Sequence, residues 1–215
     1  MRALSDLMTL VKLNLLTLLC CLPVVTAGAA LASLHYCIMK MREDEEGYIA
    51  STFFREFKAN LKEMTPIWLV ILLLGVFFYF DMQMVGTGET GGQKAFVVLL
   101  YVGIFFVHGL CQWVFPLGAK FQNSFLAKAR NSMLMVIAHF PRTAAMMAVS
   151  AIVPFILMNS LRLIPLAFCF GISLPAYLNS FLYYPVIKKQ IEEKIGSTER
   201  SSLETGSLEE ENEIE

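Results

Sequence analysis

Charged residues are scarce in this chain of 215 residues, because Asp, Glu, Lys and Arg together make up 16% of it. Soluble globular proteins carry about 25% charged residues. Apolar residues make up 56% of the sequence, and several long runs contain no charge at all. This balance excludes an ordinary soluble domain and indicates a membrane protein.

The sequence also lacks the motifs by which membrane enzymes and pumps are recognised. It contains no HExxH, P-loop or GxSxG sequence, and no paired carboxylates inside its apolar runs. These absences argue against a metalloprotease, an ATPase, a serine hydrolase and a proton pump. We therefore predict no catalytic residue, no cofactor and no nucleic-acid partner.

Cysteines are few and do not have the spacing of a metal or redox site. All of them fall inside apolar runs, where they are expected to pack as small apolar residues. They are Cys20, Cys21, Cys37, Cys111 and Cys169.

Long apolar runs are what the sequence does contain. A bilayer core of about 30 Å requires about 20 apolar residues per helix, and continuous apolar character is not the alternating pattern of a barrel strand. The predicted fold class is an all-α polytopic membrane protein with about five transmembrane helices and two cytoplasmic amphipathic helices. The predicted spans, which form one membrane domain over residues 1–187, are 13–39, 64–80, 95–119, 143–161 and 163–187.

The first of these runs is longer than one crossing requires. Pro23 is the expected bend, and the small residues after it, such as Gly28, allow another helix to come close. The sequence around Gly28 also resembles a signal-peptidase site, so a removed signal peptide is an alternative. Against cleavage, the chain stays apolar for ten more residues after Ala29.

Basic residues are concentrated in the first and third loops and in the tail, which together hold thirteen of the seventeen. By the positive-inside rule, these segments are cytoplasmic, the N-terminus is outside and the C-terminus is inside. The tail, 188–215, is rich in acidic residues and is expected to be mostly disordered.

Residues 47–64 form the most distinctive loop segment. Their apolar residues recur at spacings of three and four, which predicts an amphipathic helix with an aromatic face. One interpretation is a docking surface for a partner, and the other is an interfacial helix that anchors the protein at the headgroups. The partner-binding candidates are Phe53, Phe54, Phe57, Arg55 and Lys58. Residues 120–142 predict a second amphipathic segment.

Polar side chains inside the apolar runs are the remaining candidates. The residues selected are His35, His108, Gln112 and Asn159. Such residues are functional candidates in membranes, although hydrogen bonding between helices also explains them.

Three groups of residues carry a family resemblance. They are Asn14 with Leu22-Pro23, Glu46-Gly47-Tyr48 with Phe53 and Asn60, and His139-Phe140-Pro141-Arg142. In this order they resemble the YesL family, bacterial integral membrane proteins whose shared domain has no established function. The resemblance implies the bacterial cytoplasmic membrane and frequent proximity to genes for carbohydrate uptake by ABC transporters and for polysaccharide breakdown.

Two functional hypotheses follow. The first is an accessory or regulatory component of carbohydrate uptake that contacts ABC permease subunits through its inner loops, with the lipid bilayer as its other partner. The alternative is a small transporter or permease-like subunit, favoured by proline-broken spans with buried amides. The sequence does not determine the oligomeric state.

Overall fold

A computed structural model describes residues 2–43, 48–85, 91–120, 125–159 and 163–192. Within these ranges the chain contains eight α-helices and no β-strand. The helices are α1 (Arg2–Cys21), α2 (Ala27–Arg42), α3 (Ile49–Val85), α4 (Gly91–Lys120), α5 (Phe125–Ala138), α6 (Phe140–Asn159), α7 (Ile164–Phe170) and α8 (Ser173–Glu192).

Among the described residues, five helices are long and apolar enough to cross a membrane, namely α1, α2, α3, α4 and α6. Taken together as one broken segment, the bent pair α7 and α8 has the length and apolar composition of a sixth span. The prediction of an all-α polytopic membrane protein is confirmed. The predicted tail beyond Glu192 lies outside the described residues.

The predicted first span, 13–39, differs from the structure, which has two helices joined by a turn. Pro23 has no N–H to continue α1 and adopts an extended conformation, with φ −77° and ψ 108°. Across the turn, the Thr26 hydroxyl donates to the Cys20 carbonyl at 2.7 Å. Leu13 of α1 shares a buried cluster with Leu34 of α2. The bend expected at Pro23 is therefore the tip of a hairpin, and the start of α1 and the end of α2 point to the same side.

Helix α3 unites two segments that were predicted separately, the amphipathic segment and the span 64–80. Its 37 residues extend about 55 Å, well beyond a hydrocarbon core of about 30 Å. Pro66 lies inside the helix and does not end it. Buried Met64, Ile67 and Ile71 continue one apolar stripe past the proline, so packing against the neighbouring helices holds the helix together.

The last predicted span, 163–187, is also broken. Helices α7 and α8 meet at an angle of 50° around Gly171 and Ile172. Pro175 cannot donate to the Gly171 carbonyl, because proline has no N–H, and the helix therefore restarts at Ser173. Helix α5 matches the second predicted amphipathic segment, and only His139 separates it from α6.

Candidate functional site

The aromatic face of α3 is divided between the interior and the surface. Phe53 is completely buried in a cluster with Leu13 of α1 and Ile38 of α2. Phe57 packs against the same cluster, and its ring stacks on that of Phe53 with centroids 6.4 Å apart. These two rings contact the α1–α2 hairpin of their own chain, so they are not on a free surface.

The other predicted partner-binding residues remain accessible. Phe54 is 40% exposed, and the Arg55 side chain is 64% exposed and forms an ion pair with Glu56 at 3.0 Å. Ser51, Lys58 and Lys62 are also exposed, and together with Phe54 and Arg55 they recur at spacings of three and four on one side of the helix. We call this surface the outer face of α3; its residues are Ser51, Phe54, Arg55, Lys58 and Lys62.

Two of the predicted intramembrane polar residues belong to one hydrogen-bonded cluster between α4, α6 and α8. The Gln112 amide donates to Ser150 at 2.8 Å and lies 3.3 Å from Nε2 of His108. The Asn179 amide donates to Gln112 at 3.2 Å and to Ser150 at 2.8 Å. We call these four residues the polar cluster. Because its members mainly bond to one another, the arrangement connects three helices.

The other two predicted polar residues lie elsewhere. His35 is buried on α2, and its Nδ1 atom lies 3.0 Å from the hydroxyl of Tyr183 on α8. Asn159 is exposed at the end of α6 and takes no part in the hydrogen bonds of the polar cluster.

Asn14 has a role that its sequence position alone does not reveal. Its amide donates to the Phe168 carbonyl at 2.7 Å, and its side-chain oxygen accepts from the backbone N–H groups of Ile172 and Ser173 at 2.9 and 3.0 Å. These backbone groups lie where α7 ends and α8 begins. One buried side chain therefore satisfies the polar groups released by the helix break.

Charged side chains connect the end of α2 to α4 and α8. Lys120 forms an ion pair with Glu43 at 3.0 Å. The Arg42 guanidinium lies 4.1 Å from the ring centroid of Phe181 and 5.2 Å from that of Tyr184. Sequence reasoning placed these cations in loops but had no signal for their partners, which are distant in the chain.

A second ion pair connects α5 to α3. The Lys128 side chain is 2% exposed and pairs with Glu63. An ammonium group so deeply buried requires an anionic partner, so this contact attaches the second amphipathic helix to the first.

The His139-Phe140-Pro141-Arg142 segment forms the junction between α5 and α6. The His139 ring packs against Trp113 of α4, with centroids 5.8 Å apart, and the Trp113 indole donates to the Thr143 hydroxyl at 2.9 Å. Burial, and secondly the nearby Arg142 guanidinium, hold the pKa of His139 below its ordinary value of 6.5. The imidazole is therefore neutral at neutral pH.

The fold and these contacts define a polytopic helical membrane protein in which polar side chains connect the helices. Residues 10–82, which cover most of α1, all of α2 and most of α3, match the family described as "Protein of unknown function, DUF624". The chain is also 26% identical over 154 residues to the uncharacterized protein YteU of Bacillus subtilis strain 168, covering 72% of this chain and 67% of the relative. These findings confirm the resemblance to the YesL-like family. No solved structure matches the chain.

Proposed function

We propose that this protein is an accessory or regulatory component of carbohydrate uptake of the ABC type, and that it contacts a permease subunit through the outer face of α3. The observation that carries the proposal is the division of the amphipathic half of α3. Its inner face is buried on the α1–α2 hairpin, whereas the outer face is exposed. The choice of an ABC permease as the partner rests on the family resemblance.

The chemistry of the outer face favours protein contact over burial among lipid chains. The rings best suited to enter a bilayer, Phe53 and Phe57, already pack inside the molecule. What remains exposed is one ring, Phe54, surrounded by Arg55 and Lys58. An aromatic residue beside arginine is typical of residues that dominate protein interfaces.

The hairpin also changes the proposed orientation. Because α1 folds back on α2, the N-terminus lies on the same side as the first loop. We place both in the cytoplasm, which revises the predicted outside position of the N-terminus. Fourteen of the seventeen basic residues are then cytoplasmic, all except Lys94, Arg162 and Lys12, which lies within the span of α1. The agreement with the positive-inside rule improves.

A charge-reversal experiment tests the proposed contact. The double variant Arg55→Glu, Lys58→Glu changes the sign of the outer face without altering the buried cluster. Lys12→Glu, which reverses an exposed charge on α1, is the matched control. The tagged protein is co-expressed with the permease encoded beside it, and co-purification is measured from membranes containing equal amounts of each variant.

We expect the wild type and Lys12→Glu to retain the permease, and the double variant to lose most of it. Failure of the wild type to co-purify or crosslink with the permease contradicts the proposal. If the double variant retains as much permease as the wild type, the outer face of α3 is not the contact surface.

The polar cluster favours a second candidate function, a small transporter. The Asn179 side-chain oxygen is buried and has no hydrogen-bond partner, so one acceptor remains available between α4, α6 and α8. Purified protein in liposomes tests this directly. Sugar flux that Gln112→Leu abolishes, while Thr17→Val leaves it intact, supports transport; the absence of flux and of sugar binding contradicts it.

A further inference from the structure

A cleft of about 550 Å³ lies between the α5–α6 junction and the last turns of α8. Its volume falls within the range of small-ligand sites, about 300–1,000 Å³. It is separate from the outer face of α3 and from the polar cluster. The lining residues are Ala138, His139, Pro141, Arg142, Pro185, Val186, Lys189 and Gln190.

Both charged residues that line the cleft are basic. Arg142 and Lys189 supply two cations, Gln190 supplies an amide, and none of the described residues that line the cleft is acidic. His139 also lines the cleft, and its Nδ1 atom is buried without a hydrogen-bond partner. An arginine fork, a lysine ammonium and neutral N–H donors are the groups that proteins use to bind phosphate oxygens.

The neighbouring cleft shows that this composition is not general at this end of the molecule. A cleft of about 430 Å³ is lined by Arg42, Lys120 and Lys188, but also by Glu43 and Glu192. Its Lys120 already forms an ion pair with Glu43. The lining of the second cleft therefore contains charges of both signs, whereas the two charged residues in the lining of the first are basic.

The first cleft also lies where an apolar helix begins. The membrane-compatible part of α6 starts at Phe140, so Arg142 is within the first turn of that segment. Lys189 is close to the end of α8 at Glu192. Basic pockets between helices at this depth are suited to phosphate-containing headgroups.

We propose that this cleft binds a phosphate group, carried either by the headgroup of an anionic phospholipid or by a soluble phosphate. Arg142 and Lys189 supply the charge, and the Gln190 amide, whose present partner is the weakly accepting Met135 sulfur at 3.5 Å, supplies a neutral hydrogen bond. The side chains of Pro141, Pro185 and Val186 form the apolar wall. This proposal does not depend on the protein being part of an uptake system.

Binding is measured on the full chain in neutral detergent by native mass spectrometry and by the shift in melting temperature. The probes are phosphatidylglycerol, phosphatidylcholine and inorganic phosphate. Arg142→Gln and Lys189→Gln remove one charge each from the cleft. Arg130→Gln and Lys188→Gln remove one exposed charge each outside it.

We expect the cleft variants to bind the phosphate probe about tenfold more weakly, in keeping with the loss of one charge-assisted hydrogen bond. The control variants should bind it as the wild type does. Phosphatidylglycerol binding that inorganic phosphate does not displace identifies a lipid headgroup as the ligand. Inorganic phosphate binding that phosphatidylglycerol does not displace identifies a soluble phosphate. If Arg142→Gln does not fold, Arg142→Lys replaces it; it keeps the charge, loses the fork and should bind more weakly than the wild type.

Three results overturn the proposal. The first is equal binding of phosphatidylcholine and phosphatidylglycerol together with no binding of inorganic phosphate. The second is equal weakening by the cleft variants and the controls, which indicates attraction by overall charge. The third is the absence of binding by any probe.

Discussion

Gly28 of α2 lies directly against Trp68 of α3, and the Trp68 indole donates a hydrogen bond to the Val24 carbonyl at 2.7 Å. A side chain at position 28 would meet the Cβ atom of Trp68 and, at 3.0 Å, the Met64 carbonyl oxygen. The Met64 oxygen belongs to the backbone of α3 and the Trp68 Cβ atom is bonded to that backbone, so neither atom can rotate away. The absence of a side chain at Gly28 sets the distance between the hairpin and α3.

Gly28→Ala should therefore destabilise the protein by about 1–3 kcal/mol, the usual cost of overpacking a tight contact. The melting temperature in detergent, followed by circular dichroism or by fluorescence, measures the effect. Gly75→Ala is the matched control, since a methyl group at this position of α3 would have no neighbouring atom within 4 Å. It should leave the melting temperature unchanged or raise it. Equal melting temperatures for both variants contradict the close contact.

Asn14→Leu should weaken the junction between α7 and α8. The variant leaves one carbonyl and two N–H groups without their side-chain partner, and each unsatisfied buried group costs about 1–3 kcal/mol. Hydrogen exchange measured by mass spectrometry should show faster exchange at Ile172 and Ser173. Thr17→Val, which removes only a bond to the Leu13 carbonyl within α1, should not change exchange there.

The hydrogen bond between His35 and Tyr183 should couple α2 to α8. A double-mutant cycle with His35→Phe and Tyr183→Phe isolates the interaction, since each single variant keeps an aromatic ring in place. We expect a coupling free energy of about 0.6 kcal/mol, the average measured for hydrogen bonds between membrane helices, and no more than the measured maximum of about 1.7 kcal/mol. A coupling of zero in denaturant or thermal unfolding contradicts this contact.

The sequence predicted the elements of this fold better than their connections. The length of the charge-free runs was sufficient to predict the membrane segments. The helical spacing of apolar residues was sufficient to predict the amphipathic half of α3. Pro23 was recognised as a break, but the sequence did not distinguish a bend from a hairpin. That difference depends on the packing of α1 against α3 around Phe53. These contacts join parts of the chain that are distant in sequence.

The candidate site was only partly predictable, because its contacts also join residues that are distant in sequence. Polar residue types inside apolar runs identified Gln112 and His35, yet their partners Asn179 and Tyr183 are 67 and 148 residues away. The aromatic face of α3 was recognised as a whole. Its division into buried Phe53 and exposed Phe54 depends on the direction from which the hairpin approaches, which spacing within one helix does not specify.

Cysteine labelling tests the orientation that the hairpin implies. Single cysteines replace Leu4 near the start of α1, Ser51 on the outer face and Gly92 at the start of α4; all three positions are exposed. Each is introduced into a variant whose native cysteines are replaced by serine or alanine. A membrane-impermeant maleimide is then applied to intact cells and to inside-out vesicles. We expect positions 4 and 51 to label in inside-out vesicles and position 92 to label in intact cells. Because α1 and α2 reverse direction at Pro23, labelling of positions 4 and 51 from opposite sides would exclude the hairpin, whereas labelling of 51 and 92 from the same side would exclude a crossing by α3.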